Sequence, residues 1–257
     1  MKRTATRIGL ALLSLAAFLA LWQAIVWLGG YPPFILPAPH QVAVRLWAVV
    51  ADGSLWRHAW ATLREVLAGL GLGAIVATLL GYGLAHSPLA ERLLAPFIVA
   101  SQSIPVVAVA PLLVIWFGTG LLSKMLVCAL TVFFPILINT VVGVRSVDSD
   151  LRDLMRSLEA TRWQTIRLLE LPAALPVFLG GLKVGATLSV IGAIVGEFVA
   201  STRGLGYLLK QGQQLYDTAL VFVGIGALMI LAQVLYGAVT LVERRLLRWR
   251  EDVKRDT

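Results

Sequence analysis

Residues 153–176 read DLMRSLEATRWQTIRLLELPAALP, the only long charged stretch set between apolar blocks. Within it Leu154, Leu158, Trp163, Ile166 and Leu169 recur at three- to five-residue steps, which predicts one or two short amphipathic helices. Arg156, Arg162 and Arg167, with Arg152 just before them, occupy the other faces. Pro172 and Pro176 end the pattern and open the next apolar run, because proline is tolerated in the first turn of a helix. A chain otherwise immersed in hydrocarbon can place such a segment only in water. There it either rests on anionic headgroups or is gripped by another protein.

Working outward, the 257 residues are 58% hydrophobic and 14% charged, with a mean hydropathy of +0.84. A soluble domain carries roughly 25% charged residues, so the composition specifies an integral membrane protein. The net charge of +8 does not point to nucleic acid, since the basic residues flank apolar runs as membrane topology requires. The single cysteine, Cys128, excludes an internal disulfide and a cysteine metal cluster. His40, His58 and His86 are scattered, so no metal or other cofactor is expected. None of the five lysines follows a glycine, so there is no G-x-x-x-x-G-K-[ST] phosphate loop. If ATP drives this protein, another chain must bind it.

A helix crossing ~30 Å of hydrocarbon needs about 20 apolar residues. Six runs meet that demand, giving an all-α polytopic membrane protein with six transmembrane helices. They are residues 8–28, 66–85, 93–123, 125–144, 177–200 and 218–242. A cleaved signal peptide competes for the first, since Lys2, Arg3 and Arg7 precede its apolar core. The third contains Pro96, Pro105 and Pro111 and reads as one span with breaks and a short re-entrant or interfacial piece. The fifth contains Lys183, which can snorkel toward the headgroups. Asp217 or Thr218 is the expected N-cap of the sixth. With both ends inside, sixteen of the 22 Lys and Arg residues lie on the cytoplasmic side, so the expected orientation is N-in, C-in. The expected organisation is an N-terminal helix and extracytoplasmic connection over 1–60, a permease core over 61–245 with a cytoplasmic loop at 145–176, and a basic tail over 246–257. No internal repeat or linker is evident.

The 153–176 segment resembles the cytoplasmic EAA loop of ABC-importer permeases. That loop reads E-A-A, three residues, G-A, then an aromatic-rich turn and L-P. Here Asp153-Leu154-Met155 is followed by Arg156-Ser157-Leu158, Glu159-Ala160, Thr161-Arg162-Trp163-Gln164 and Leu171-Pro172. Asp153 replaces the usual glutamate and Glu159 the usual glycine. Glutamate favours a continuing helix where glycine permits a bend. The expectation is therefore a helix over 153–160, with Glu159 right-handed and pairing with Arg156 or Arg162.

The resemblance continues, in order, over about residues 34–245. It includes Ile35-Leu36-Pro37-Ala38-Pro39, Gly53-Ser54-Leu55-Trp56-Arg57-His58, Ile104 to Leu112, Trp116-Phe117-Gly118 and Phe134-Pro135-Ile136 with Asn139. It closes with Gly196-Glu197-Phe198 and Gly204-Leu205-Gly206-Tyr207. These look like permeases for nitrate, alkanesulfonates and taurine in the inner membrane. The resemblance implies the type I importer permease fold and a homodimer or pair of similar permeases. It also implies two ABC ATPase subunits, an extracytoplasmic solute-binding protein, and no catalytic residues in this chain. Asp153, Leu154, Ser157, Leu158, Glu159, Ala160, Arg162 and Trp163 are then the expected ATPase-coupling residues.

Polar groups inside spans are costly and tend to face protein or a water-filled path. Gln102, Ser103, Asn139 and Glu197 are candidates for the path, with helix–helix hydrogen bonding as the other reading. Glu197 is expected either to pair with Arg203 or to help close an outer gate. Few positive charges fall in the spans, so no dedicated anion site is expected. The competing function is an ion-coupled transporter or channel without an ATPase. That machine needs an ionisable group near the bilayer midplane, and this chain offers no mid-span carboxylate, since Glu197 sits near a span boundary.

Overall fold

The computed structural model describes residues 2–248, and among them only helices and turns occur. The helices are α1 (Lys2–Gly29), α2 (Pro39–Ala51), α3 (Ser54–His86), α4 (Pro88–Gln102), α5 (Val106–Phe117) and α6 (Leu121–Arg145). They continue as α7 (Ser149–Ser157), α8 (Arg162–Thr165), a π-helical turn over Ile166–Glu170, α9 (Leu171–Ala200), α10 (Leu205–Gln214) and α11 (Thr218–Leu246). α3, α6, α9 with its preceding turn, and α11 are each long and apolar enough to cross a bilayer. α4 and α5 form a fifth candidate, bent by 93° across Ser103–Pro105. The expected broken third span therefore takes the form of two helices. Its physical cause is Pro105, which cannot donate to a continuing helix and biases Ile104 away from helical geometry. α1 is helical across the expected first span, but its described apolar part covers only Leu13–Gly29.

α6 lies at the centre, packed between α3 and α9. The sequence explains the closeness. Gly69, Gly73, Ala77 and Gly81 recur every four residues on α3 and are buried against α6. A methyl group added at Gly73 would lie 2.8 Å from the Ala129 carbonyl oxygen, and one at Gly81 would lie 3.0 Å from that of Leu137. On α9, a methyl at Gly192 would lie 2.8 Å from Cys128 Cα. Small residues replace side-chain thickness with backbone contact, which is how helices associate without a hydrophobic driving force. Val66, Cys128, Ala186, Val190 and Ala193 fill the core between these stripes.

α3 and α9 both begin before their expected runs. α3 begins at Ser54, three turns before the charge-free stretch, because Arg57, Arg64 and Glu65 are good helix formers with polar places to go. α9 begins at Leu171 with Pro172 in its first turn. Lys183 forms an ion pair with Glu243 of α11. Asp217 is the N-cap of α11, its carboxylate accepting from the Leu220 N–H at 3.0 Å. Residues 249–257 of the expected basic tail lie outside the described residues.

Candidate functional site

The 145–176 loop carries two short helices, α7 and α8, in keeping with the expected one or two. Asp148 caps α7, accepting from the Asp150 N–H at 3.0 Å. α7 ends at Ser157, and Glu159 has φ 51°, in the left-handed region. This corrects the expected right-handed helix over 153–160. The cause is hydrogen-bond closure. The Ala160 N–H reaches Met155 O at 3.0 Å and the Glu159 N–H reaches Arg156 O at 2.9 Å, the pair of bonds that satisfies the last carbonyls of a helix. A second helix then starts at once, with Thr161 and Gln164 forming a reciprocal capping box. These bonds offset the ~1–2 kcal/mol that a non-glycine residue loses in that conformation. The expected Glu159 pairing is absent among the described residues. Arg156 instead contacts Asp153 at 3.0 Å, and the Ser157 hydroxyl bonds Asp153 O.

Leu151, Leu154 and Leu158 are exposed at three- and four-residue steps along α7, and Trp163 is exposed on α8 beside Arg162. Ala160 is half-buried at the bend. The segment is tied to the bundle by Glu170, which sequence reasoning missed. Its buried carboxylate accepts from the Tyr82 hydroxyl at 2.8 Å, contacts His86 Nε2 at 2.9 Å, and lies 3.8 Å from Arg152. Arg152 also donates to Val144 O at 2.8 Å. One residue of the π-helical turn thereby joins the 145–176 loop to the ends of α3 and α6. The available signal was a lone acid between Leu169 and Leu171 at the threshold of a span.

At the other end of the bundle, Glu197 has no solvent exposure. It accepts from Thr62 Oγ1 at 2.6 Å and from the N–H groups of Gly206 at 2.5 Å and Tyr207 at 3.3 Å. The expected pairing with Arg203 does not form. The carboxylate caps the start of α10, where the positive end of the helix dipole favours an anion. Thr62 also accepts from the Leu205 N–H at 2.7 Å, and His58 Nδ1 accepts from the Gly204 N–H at 3.0 Å. Gly204 has φ 117°, and any side chain there would overlap the Glu197 carboxylate.

Glu65, one turn after Thr62, is also buried. Lys124 Nζ lies 3.2 Å from it and donates to Ser201 Oγ at 2.8 Å, joining α3, α6 and the end of α9. The charge-free reading began its second span at Val66 and so left Glu65 outside it.

The remaining candidates are dispersed. Gln102 lines a groove of about 520 Å³ between α4 and α6, closed at one end by the Glu91–Arg145 ion pair. Ser103 is exposed at the α4–α5 break. Asn139 donates to Pro135 O at 2.8 Å and packs against Gly181, where an added methyl would lie 2.6 Å from Asn139 Cβ.

Residues 69–248 match the family model described as "binding-protein-dependent transport system inner membrane component". The riboflavin transport system permease protein RibX of Chloroflexus aurantiacus is 50% identical over 236 residues, covering 92% of this chain and 88% of the relative. The taurine transport system permease protein TauC of Escherichia coli is 31% identical over 253 residues, covering 96% and 92%. Among solved structures, a chain of the inward-facing MetNI methionine ABC transporter superposes with a TM-score of 0.66 at 20% identity, covering 76% of this chain and 97% of that one.

Proposed function

The chain belongs to the family of binding-protein-dependent transport system inner membrane components, and from that premise we propose how this multi-pass permease subunit is arranged and driven. It crosses the inner membrane six times: α1, the bent α4–α5 pair, and the four long helices α3, α6, α9 and α11. Both ends are cytoplasmic, supported by the sixteen-to-six distribution of Lys and Arg. The core occupies 61–245, with the N-terminal helix and connection before it and the basic tail over 246–257 after it. The chain pairs with a second copy or a similar permease and works with two ABC ATPase subunits and an extracytoplasmic binding protein. ATP hydrolysis belongs to the ATPase. The cargo is a small solute: a sulfonate, taurine, nitrate or similar.

The observation that carries the coupling role is the 145–176 loop itself. It exposes Leu154, Leu158 and Trp163 on two short helices while Glu170 anchors its other end to α3 and α6. A membrane protein gains nothing by exposing that apolar stripe to water, so an ATPase groove covers it. Asp153, Ser157, Glu159 and Arg162 supply the polar rim, and Ala160 sits at the bend. A push on α7 passes through Arg152 and Glu170 to α3, whose far end carries Thr62 and the Glu197 cap. In this reading Glu197 holds α10 as an outer gate, and Gln102, Ser103 and Asn139 flank the path near the α4–α5 break.

Leu158→Asp and Arg162→Glu, each assembled with the partner ATPase and binding protein in proteoliposomes, test it. Transport and binding-protein-stimulated ATP hydrolysis should both fall while the permease still inserts. Wild-type values in both variants would sink the coupling assignment.

A further inference from the structure

The outer end of the bundle holds a cavity of about 920 Å³ between α3, α10 and the start of α6. Five Arg and Lys residues line it, Arg45, Arg57, Arg64, Lys124 and Arg203, together with His58. Two are committed. Lys124 is paired with Glu65, and Arg45 contacts Asp217 at 2.7 Å. Arg57, Arg64 and Arg203 have no ion pair and no side-chain hydrogen bond among the described residues. The other lining acid, Asp52, accepts from the Ser54 N–H at 2.7 Å, is exposed at the rim and lies within the fields of Arg57 and Arg45 without pairing with either.

Arg64 is the telling residue. It lies ten residues into α3, about 15 Å along the helix, and is exposed. It stands two residues before the charge-free run that begins at Val66, so this face of α3 lies beyond the apolar span and meets water or a ligand. Arg57, Ala61 and Arg64 fall at four- and three-residue steps, one stripe of α3, and Trp60 beside them lines the same cavity. Guanidinium is the side chain best shaped for oxyanions, offering planar paired donors that stay charged.

We propose that this cavity is an oxyanion site in which Arg57, Arg64 and Arg203 receive a phosphate, sulfonate or carboxylate group, carried by a soluble ligand or by a lipid headgroup. The proposal deepens the permease reading by naming a ligand class at the outer mouth, and it rests on the orientation given there. The sequence concealed the site because its cations come from two segments far apart in the chain, α3 and the turn before α10, and Arg57 and Arg64 precede the charge-free run.

The test uses the full-length chain in phosphatidylcholine nanodiscs, titrated with ethanesulfonate or inorganic phosphate at constant ionic strength against chloride. Saturable thermal stabilisation is expected, roughly tenfold weaker in Arg64→Gln and Arg203→Gln. Arg64→Lys, which keeps the charge but not the paired donors, should fall between the wild type and Arg64→Gln, and Arg244→Gln, at the opposite end of the bundle, should bind like the wild type. Binding of the soluble anions assigns the site to a solute. Stabilisation only when phosphatidylglycerol is added, lost in the same variants, assigns it to lipid. No oxyanion-specific effect, or an effect unchanged in both glutamine variants, overturns the site. Maleimide labelling of Thr202→Cys in intact cells reads orientation separately. Labelling without anion binding sinks the site alone, and anion binding without labelling sinks the orientation alone.

Discussion

The Glu197 carboxylate accepts the Thr62 hydroxyl at 2.6 Å, joining α9 to α3 across 135 residues of chain. The same carboxylate holds the first amides of α10, so three elements meet on one buried acid. Removing it strands a hydroxyl and two amides, each costing about 1–3 kcal/mol when buried without a partner.

Gly204 tests that arrangement most directly. Gly204→Ala both places a side chain at φ 117° and drives it into Glu197, whereas Gly226→Ala meets open space within 4 Å. Thermal melting in nanodiscs should show a large loss for the first and little change for the second. Equal melting temperatures would mean that the carboxylate does not seat against α10.

Glu159→Gly should stabilise the loop, because glycine adopts φ 51° without the ~1–2 kcal/mol penalty of a side chain. ATPase affinity of the variant should match or exceed the wild type when measured by pull-down titration. Weaker docking would show that the Glu159 carboxylate contributes more to the rim than relief of the backbone strain returns.

At the other end, Glu170→Gln keeps the shape but removes the charge facing His86 and Arg152. Transport per ATP hydrolysed should fall although the ATPase still binds, since the loop remains exposed while its tie to α3 weakens. Full coupling in this variant would exclude the Glu170 route.

Lys124→Met leaves Glu65 buried without its cation, a change that costs about 3–5 kcal/mol for a buried pair. Lys124→Met with Glu65→Gln together should recover much of that loss. Melting curves of the two variants decide it: no recovery would place the destabilisation in packing rather than charge.

The long helices were legible because a segment in hydrocarbon must satisfy its own backbone, so apolar length alone marks it. Caps were legible for the same local reason: Asp217 stands beside the apolar run of α11 and needs only its own neighbours. The bend at Glu159 misled because propensity treats a residue in isolation, while the Met155 and Arg156 carbonyls and the Thr161–Gln164 box decided its geometry.

What the sequence by itself determined was therefore the membrane class, the helical runs and the amphipathic loop between them, all set by interactions within a few residues. Tertiary structure alone decided which buried charges meet. Glu65 with Lys124, Glu170 with Tyr82 and His86, and Glu197 with Thr62 are each 59 or more residues apart. A charge deep in a bundle is tolerated only beside a partner, and no local pattern announces a partner that helix packing must bring from another span.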